Sequence, residues 1–363
     1  GGHMGNSKEV TIFGAGMSGL IAAINLSRDE YAVTVREKES GYGGCPLYNP
    51  STHVTPLDVE RTSEYIGIDI SSAFHPVISC PAYFHETKVQ LPVTGVYAVE
   101  RGNRPTSLDT LLYNQCLKLG VDFEFESPLT GEELNSLPLN SIIACGLTPS
   151  VYDMLDIPYI RWYGWLSRGE IGIGSYAWLW WDECISEYGY LSAVNGYYFD
   201  LLFSIRDVGR DCLEKYKSFM VRNEGIEHDN WEYVSGAVPI ASPDNPRLFW
   251  GDAVLCGTIS GAQDPMLWFG ISGALVTGKV AALAITDRER AVEDFSRFTR
   301  RFSKSYYVKN KVWYPLIRPN VKMMERAINT MGIERFEKLG ELAGEGRIRL
   351  KFSIPGFSQL GCW

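Results

Sequence analysis

The stretch that most narrows the possible folds is residues 9–40, EVTIFGAGMSGLIAAINLSRDEYAVTVREKES. Val10 to Phe13 is a short β-branched and aromatic run that predicts a strand. Gly14, Gly16 and Gly19 follow as GxGxxG, and Leu20 to Leu26 is the apolar, Ala-rich face of a buried crossover helix. Ala32 to Val35 predicts a second strand, with Glu37 at its end, 23 residues after Gly14. Each part has a physical reason. Gly14 permits the tight turn, Gly16 lets a pyrophosphate approach the backbone, and Gly19 lets helix and strand pack closely. Met17 and Ser18 open the helix, whose free N–H groups and positive dipole end suit phosphates. Glu37 is placed to accept from a ribose hydroxyl pair, with Lys38 beside it. The expectation is a parallel α/β sheet that holds an adenine dinucleotide.

The rest of the composition sets limits. The chain has 363 residues and a formal charge of -9, which argues against nucleic acid as a partner. No apolar run reaches the roughly 18 residues of a membrane span. GGHM at the start reads as an expression remnant, so His3 is set aside. The eight cysteines show no CxxC or zinc spacing, which fits mostly reduced thiols and a cytoplasmic location, and no metal site is expected. Aromatic residues reach 13% and concentrate between Tyr159 and Phe203.

Glu37 is followed by KESGYGG, which ends in Gly43-Gly44. This resembles the glutathione-reductase-like flavoproteins, in which a second glycine turn passes the FAD diphosphate, so FAD is the implied cofactor. In residues 95–125, Ser107 caps a predicted helix from Leu108 to about Leu119, and Ile142 to Cys145 predicts a buried strand stopped by Gly146. The order ERG…SLDTLL…GV…SIIACG resembles the family of para-hydroxybenzoate hydroxylase and the geranylgeranyl reductases. The resemblance implies that Arg101 borders the flavin or the substrate cleft and that Cys145 and Gly146 lie by the cofactor. The Asp-Gly pair that the hydroxylases carry after this strand is missing, which weakens a hydroxylase reading and a nicotinamide site.

Residues 247–285, RLFWGDAVLCGTISGAQDPMLWFGISGALVTGKVAALAI, resemble the second flavin motif of that family. The resemblance implies that Gly251-Asp252 bind the ribityl chain. It also implies that a helix from Ile271 to Ile285 aims its amino terminus at the flavin pyrimidine, with Pro265, Gly270, Ile271 and Ser272 at the cofactor. Two departures stand out. The segment from Asp252 to Pro265 is longer than usual, and Trp268 and Phe269 replace the glycine run, where they either shape the pocket or close it.

The expected fold is α/β, a Rossmann-like FAD-binding domain with an inserted antiparallel-sheet substrate domain. Residues 5–60, 95–155 and 235–290 form the first, 61–94 and 156–234 the second, and 291–363 a helical carboxyl-terminal segment. The segment KSYYVKNKVWYPLIR combines basic and aromatic residues, so peripheral membrane contact is one reading and a solvated helix the other. The four histidines beyond His3 carry no motif. Cys45, beside Gly44, is the thiol placed to face the flavin, and with Trp268 and Phe269 it completes the catalytic candidates. The expected function is an FAD-dependent oxidoreductase acting on an apolar, aromatic or isoprenoid-like small molecule, with double-bond reduction or dehydrogenation first. A monooxygenase or amine-oxidase-like oxidase, and a flavin-binding protein without turnover, stay open. NAD(P)H or a protein would donate electrons.

Overall fold

A computed structural model describes residues 8–172, 174–239, 246–300 and 302–344. The chain begins with β1 (Glu9–Phe13), α1 (Met17–Arg28) and β2 (Ala32–Arg36). Next come β3 (Ser51–Pro56), α2 (Val59–Ile66), β4 (Phe74–Pro76), β5 (Pro81–Phe84), β6 (Thr87–Gln90) and β7 (Val96–Arg101). Then follow α3 (Leu108–Lys118), β8 (Asp122–Glu124), β9 (Ser141–Ile143) and α4 (Pro149–Met154). The ring-rich region folds as β10 (Tyr159–Glu170), β11 (Tyr176–Trp181), β12 (Tyr188–Val194) and β13 (Tyr197–Ser204). It leads into α5 (Arg210–Glu224), β14 (Glu232–Pro239), β15 (Phe249–Trp250), β16 (Ala253–Leu255) and α6 (Ile271–Thr286). Helices α7 (Arg288–Thr299), α8 (Phe302–Val308), α9 (Val321–Met331) and α10 (Ile333–Gly344) complete the described chain.

The first sheet has the order β15-β16-β9-β1-β2-β8 and is parallel except for β15. The second, β14-β10-β13-β12-β11-β5-β6, is antiparallel except where β11 meets β5. A small antiparallel sheet, β3-β7-β4, completes the set. Two expected boundaries shift. Residues 235–239 belong to β14 and pair with β10, so the second sheet reaches past residue 234. Residues 74–76 pair with β7 in the small sheet and not with the ring-rich strands.

Helix α1 is buried on all sides because the first sheet, α3 and α6 all pack on it, which is why its sequence is apolar without a polar face. A Cβ at Gly278 of α6 would stand 2.7 Å from the Ser18 carbonyl oxygen, so the two helices touch through a glycine. Ser107 accepts the Thr110 N–H and starts α3 as its sequence predicts. Cys184 and Cys212 form a disulfide, a departure from the reduced state expected of the thiols, while Cys45, Cys80, Cys116, Cys145 and Cys256 are free. No helix among the described residues is long and apolar enough to cross a membrane. Residues 345–363 of the expected helical segment, and His3, lie outside the described residues.

Candidate cofactor and substrate site

The amino termini of α1 and α6 open on one cavity of about 300 Å³. The parallel sheet contributes the strand ends that begin the site, and the second sheet contributes the rings that face them. Of the residues singled out in the sequence, Gly14, Gly16, Met17, Ser18, Glu37, Lys38, Gly44, Cys45, Arg101, Cys145, Gly146, Trp268, Phe269, Gly270 and Ile271 line this cavity.

The three glycines of the fingerprint differ in what they make room for. Gly14 has φ +120°, and a Cβ there would lie 2.3 Å from the Ala144 carbonyl oxygen on the neighbouring strand end. Gly19 has the Gly14 carbonyl oxygen 2.1 Å from its absent Cβ. Gly16 is the opposite case, with only the Gly44 Cα near, at 4.0 Å. Its missing side chain therefore leaves open space in front of an α1 terminus that no side chain caps. Glu37 is 5% exposed, and its carboxylate accepts from the Ala15 and Glu39 N–H groups at 2.8 and 3.0 Å. It thus holds the glycine turn while bordering the cavity. Gly43 does not line the cavity but donates its N–H to the Ala15 carbonyl, which sets the turn that presents Gly44 and Cys45. Arg101 makes a two-pronged ion pair with the fully buried Asp109, at 2.8 and 3.2 Å.

The second motif needs a correction. Gly251-Asp252 form the exposed turn of the β15–β16 hairpin and do not border the cavity. The reason is topological: β15 is an antiparallel edge strand, whereas β16 is the parallel neighbour of β9 and ends at the cavity. Gly257-Thr258 occupy that end, and both line the cavity. Gly257 has φ +75°, its absent Cβ would lie 2.4 Å from Ser18 Oγ, and its N–H donates to Thr277 Oγ1 at 2.7 Å. The apolar run Ala253 to Leu255 before Gly257 was the sequence signal for this, and it also removes the apparent extra length before Pro265. Pro265 and Ser272 do not line the cavity; Ser272 is buried within α6.

Trp268 and Phe269 shape the wall and leave the cavity open. Trp268 sits at φ +64°, a conformation that costs a bulky residue about 1–3 kcal/mol. Several bonds impose it. The Trp268 N–H donates to the Asp264 carbonyl, the Asp264 N–H to the Phe269 carbonyl, and Gln263 Nε2 to the Trp268 carbonyl, all at 2.9 Å. Asp264 Oδ2 accepts the Leu267 N–H, the Tyr188 hydroxyl donates to the Leu267 carbonyl, and Lys309 Nζ donates to the Met266 carbonyl. The indole stands edge-on to Phe203 at 5.4 Å. Burial pushes the Asp264 carboxyl up to about 6. Lys309 is itself buried and paired with Glu187, which also accepts from the Tyr314 hydroxyl. Part of the basic and aromatic segment thus turns inward to brace this loop, while Tyr307 and Leu316 stay exposed.

His53 stands in no motif, yet it lines the cavity from β3. Ser51 Oγ donates to the Tyr48 carbonyl, so it accepts from His53 Nε2–H at 2.8 Å. His53 Nδ1 then accepts from the Tyr190 hydroxyl at 3.1 Å. Burial, helped by the Arg101 charge, pushes the imidazole down to about 3, so it is neutral at ordinary pH. Only the tertiary fold brings β3 against β12.

Comparison with known proteins agrees with this geometry. Residues 12–55 match the NAD(P)-binding Rossmann-like domain family. A flavin-containing monooxygenase of Arabidopsis thaliana, FMO GS-OX2, is 38% identical over 61 residues, which are 17% of this chain and 13% of that protein. The chain therefore aligns with only a small share of such relatives. Over nearly its whole length it is similar in structure to a geranylgeranyl bacteriochlorophyll reductase-like protein from Thermoplasma acidophilum (TM-score 0.58, 14% identity, 92% of this chain and 90% of that one). It is likewise similar to p-nitrophenol 4-monooxygenase from Pseudomonas putida (TM-score 0.61, 12% identity, 91% and 96%) and to the flavin-dependent halogenase CmlS (0.59, 16%, 96% and 74%). Residues 12–55 thus match a Rossmann-like domain family, and the chain as a whole shares the fold of these three structures.

Proposed function

We propose that the protein is an FAD-dependent oxidoreductase acting on a largely apolar or aromatic small molecule, by double-bond reduction or dehydrogenation. The observation that carries this is the single cavity in which two uncapped helix termini and a ring-lined wall from the second sheet meet. The residues suit FAD: Gly16 leaves room for a pyrophosphate, Glu37 borders the place of a ribose, and Gly257-Thr258 replace Gly251-Asp252 as the strand-end pair beside the ribityl chain. FAD, when bound, supplies two-electron transfer at its isoalloxazine ring. The α6 terminus would set about half a positive charge toward that ring and favour its reduced, anionic form. Trp162, Trp268 and Phe269 exclude water and give a flat substrate a surface. Tyr190, whose proton is engaged by His53, offers its oxygen as an acceptor that orients a substrate donor. Cys45 and Arg101 border the same space. Electrons would come from NAD(P)H or a donor protein.

A monooxygenase is the second reading, favoured by the 38% identity over 61 residues with a flavin-containing monooxygenase. The visible absorption of the purified protein with added FAD tests the core of both. A protein that stays colourless overturns them. Anaerobic photoreduction followed by air then divides them: oxygen-dependent product marks a monooxygenase or oxidase, slow reoxidation a reductase, and a flavin that resists reduction a non-redox binder.

A further inference from the structure

The ring-rich sheet has two faces, and the chemistry above uses one. Along β13, Phe199, Leu201 and Phe203 belong to the core on the cofactor side, whereas Tyr198 and Leu202 belong to the core under α5. Asp200 alternates with the second set and is 1% exposed, a carboxylate in an apolar layer. It accepts from the Tyr216 hydroxyl at 2.7 Å and from His228 Nδ1 at 3.0 Å. A buried carboxylate is tolerated when a cation balances it, and His228 is the only cation-forming side chain bonded to it among the described contacts. Burial raises the Asp200 carboxyl above its ordinary range, as expected of a carboxylate held in an apolar layer. An imidazolium carries hydrogen on both nitrogens. Nδ1–H points at Asp200, and Nε2 is buried with no partner. The ring lies flat on Tyr198, with centroids 3.8 Å apart, and it lines a second cavity of about 390 Å³ beneath α5. Trp231, Met220 and Ile226 form apolar parts of that cavity's wall, and the cations Lys217 and Arg222 on it are paired with Glu214 and Glu86.

A buried donor without an acceptor is rare in folded proteins and marks a place where something else supplies the acceptor. We propose that this second cavity binds a small aromatic molecule bearing a carbonyl or carboxylate oxygen, with His228 Nε2–H as donor and Trp231 against the ring. The site lies on the opposite face of β13 from the cofactor cavity and does not depend on the flavin.

The test is a titration of the full chain, labelled with 15N-histidine, with benzoate and with benzamide. The His228→Gln variant assigns the signal; should it not fold, Trp231→Ala assigns it through the lost ring current, since the two rings lie 6.5 Å apart. The expected result is a saturable shift of the His228 Nε2 signal at roughly 1–10 mM ligand, with His53 unmoved. Trp231→Ala should weaken binding about tenfold. A response to benzoate alone identifies an anionic ligand, and a response to both identifies a carbonyl acceptor. A His228 signal unmoved by either compound overturns the proposal, as does a shift that appears only together with that of His53.

Discussion

Replacing Gly14 and Gly16 separately by alanine should divide folding from cofactor binding. At Gly14 the new methyl meets backbone, 2.3 Å from the Ala144 oxygen and 2.8 Å from its carbon, at φ +120°. Strain of about 1–3 kcal/mol and overpacking of about 1–3 kcal/mol add, so Gly14→Ala should lose about 2–6 kcal/mol of stability. Gly16 is already extended, at φ −84° and ψ 178°, and nothing lies closer than 4.0 Å. The loss of a favoured helix-capping residue costs about 0.5–1 kcal/mol, and the smaller entropy of the unfolded chain returns about 0.4–1 kcal/mol. Gly16→Ala should therefore unfold within about 0.5 kcal/mol of the wild type. Its methyl group stands where the pyrophosphate must approach, and one lost charge-assisted hydrogen bond, worth about 1.5–3 kcal/mol, weakens FAD roughly 10- to 100-fold. Urea unfolding of the apoprotein and a flavin-fluorescence titration read the two effects. Wild-type FAD affinity in Gly16→Ala, or a stability loss equal to that of Gly14→Ala, would refute the division of roles.

Three further outcomes follow from the site. Asp264 has its folded value pushed from 3.8 up to about 6, so its contribution is fully present below about pH 4 and is lost as pH rises through 6; it should amount to about 3 kcal/mol. The difference in unfolding free energy between the wild type and Asp264→Asn should change by that order across this window, and a constant difference would show the carboxyl to be unperturbed. Thr258→Val should lower flavin retention while Asp252→Ala leaves it unchanged, as measured by flavin content after gel filtration; the reverse pattern would restore the hairpin turn as the ribityl contact. Tyr190→Phe leaves His53 Nδ1 without its donor and should destabilise the apoprotein by about 1–3 kcal/mol, with much of this recovered when His53→Phe is added; equal losses in the single and double variants would exclude the pairing.

The sequence by itself determined the dinucleotide turn, because every requirement there is local. A tight bend, an open approach, a close helix and an acidic strand end all fall between Gly14 and Glu37, and the β-α-β unit follows from their order. It also determined where α6 begins, since the small residues at Gly270 to Gly273 suit a crowded helix start; a Cβ at Gly273 would lie 1.6 Å from the Ala262 oxygen. Gly251-Asp252 and Gly257-Thr258 look alike in one dimension, and only sheet order shows that the first pair turns an antiparallel edge hairpin while the second follows a parallel strand that ends at the cavity. The tertiary structure alone decided the use of His53, Tyr190, Asp264 and Lys309. Their partners lie 43 to 137 residues away, or across a loop whose shape their own side chains impose, and burial rather than spacing gives them their character. Local conformational rules act over a few residues, so a turn can be read from the chain. Desolvation and pairing act through space, so the charge state of a buried group is fixed only when the sheets close over it.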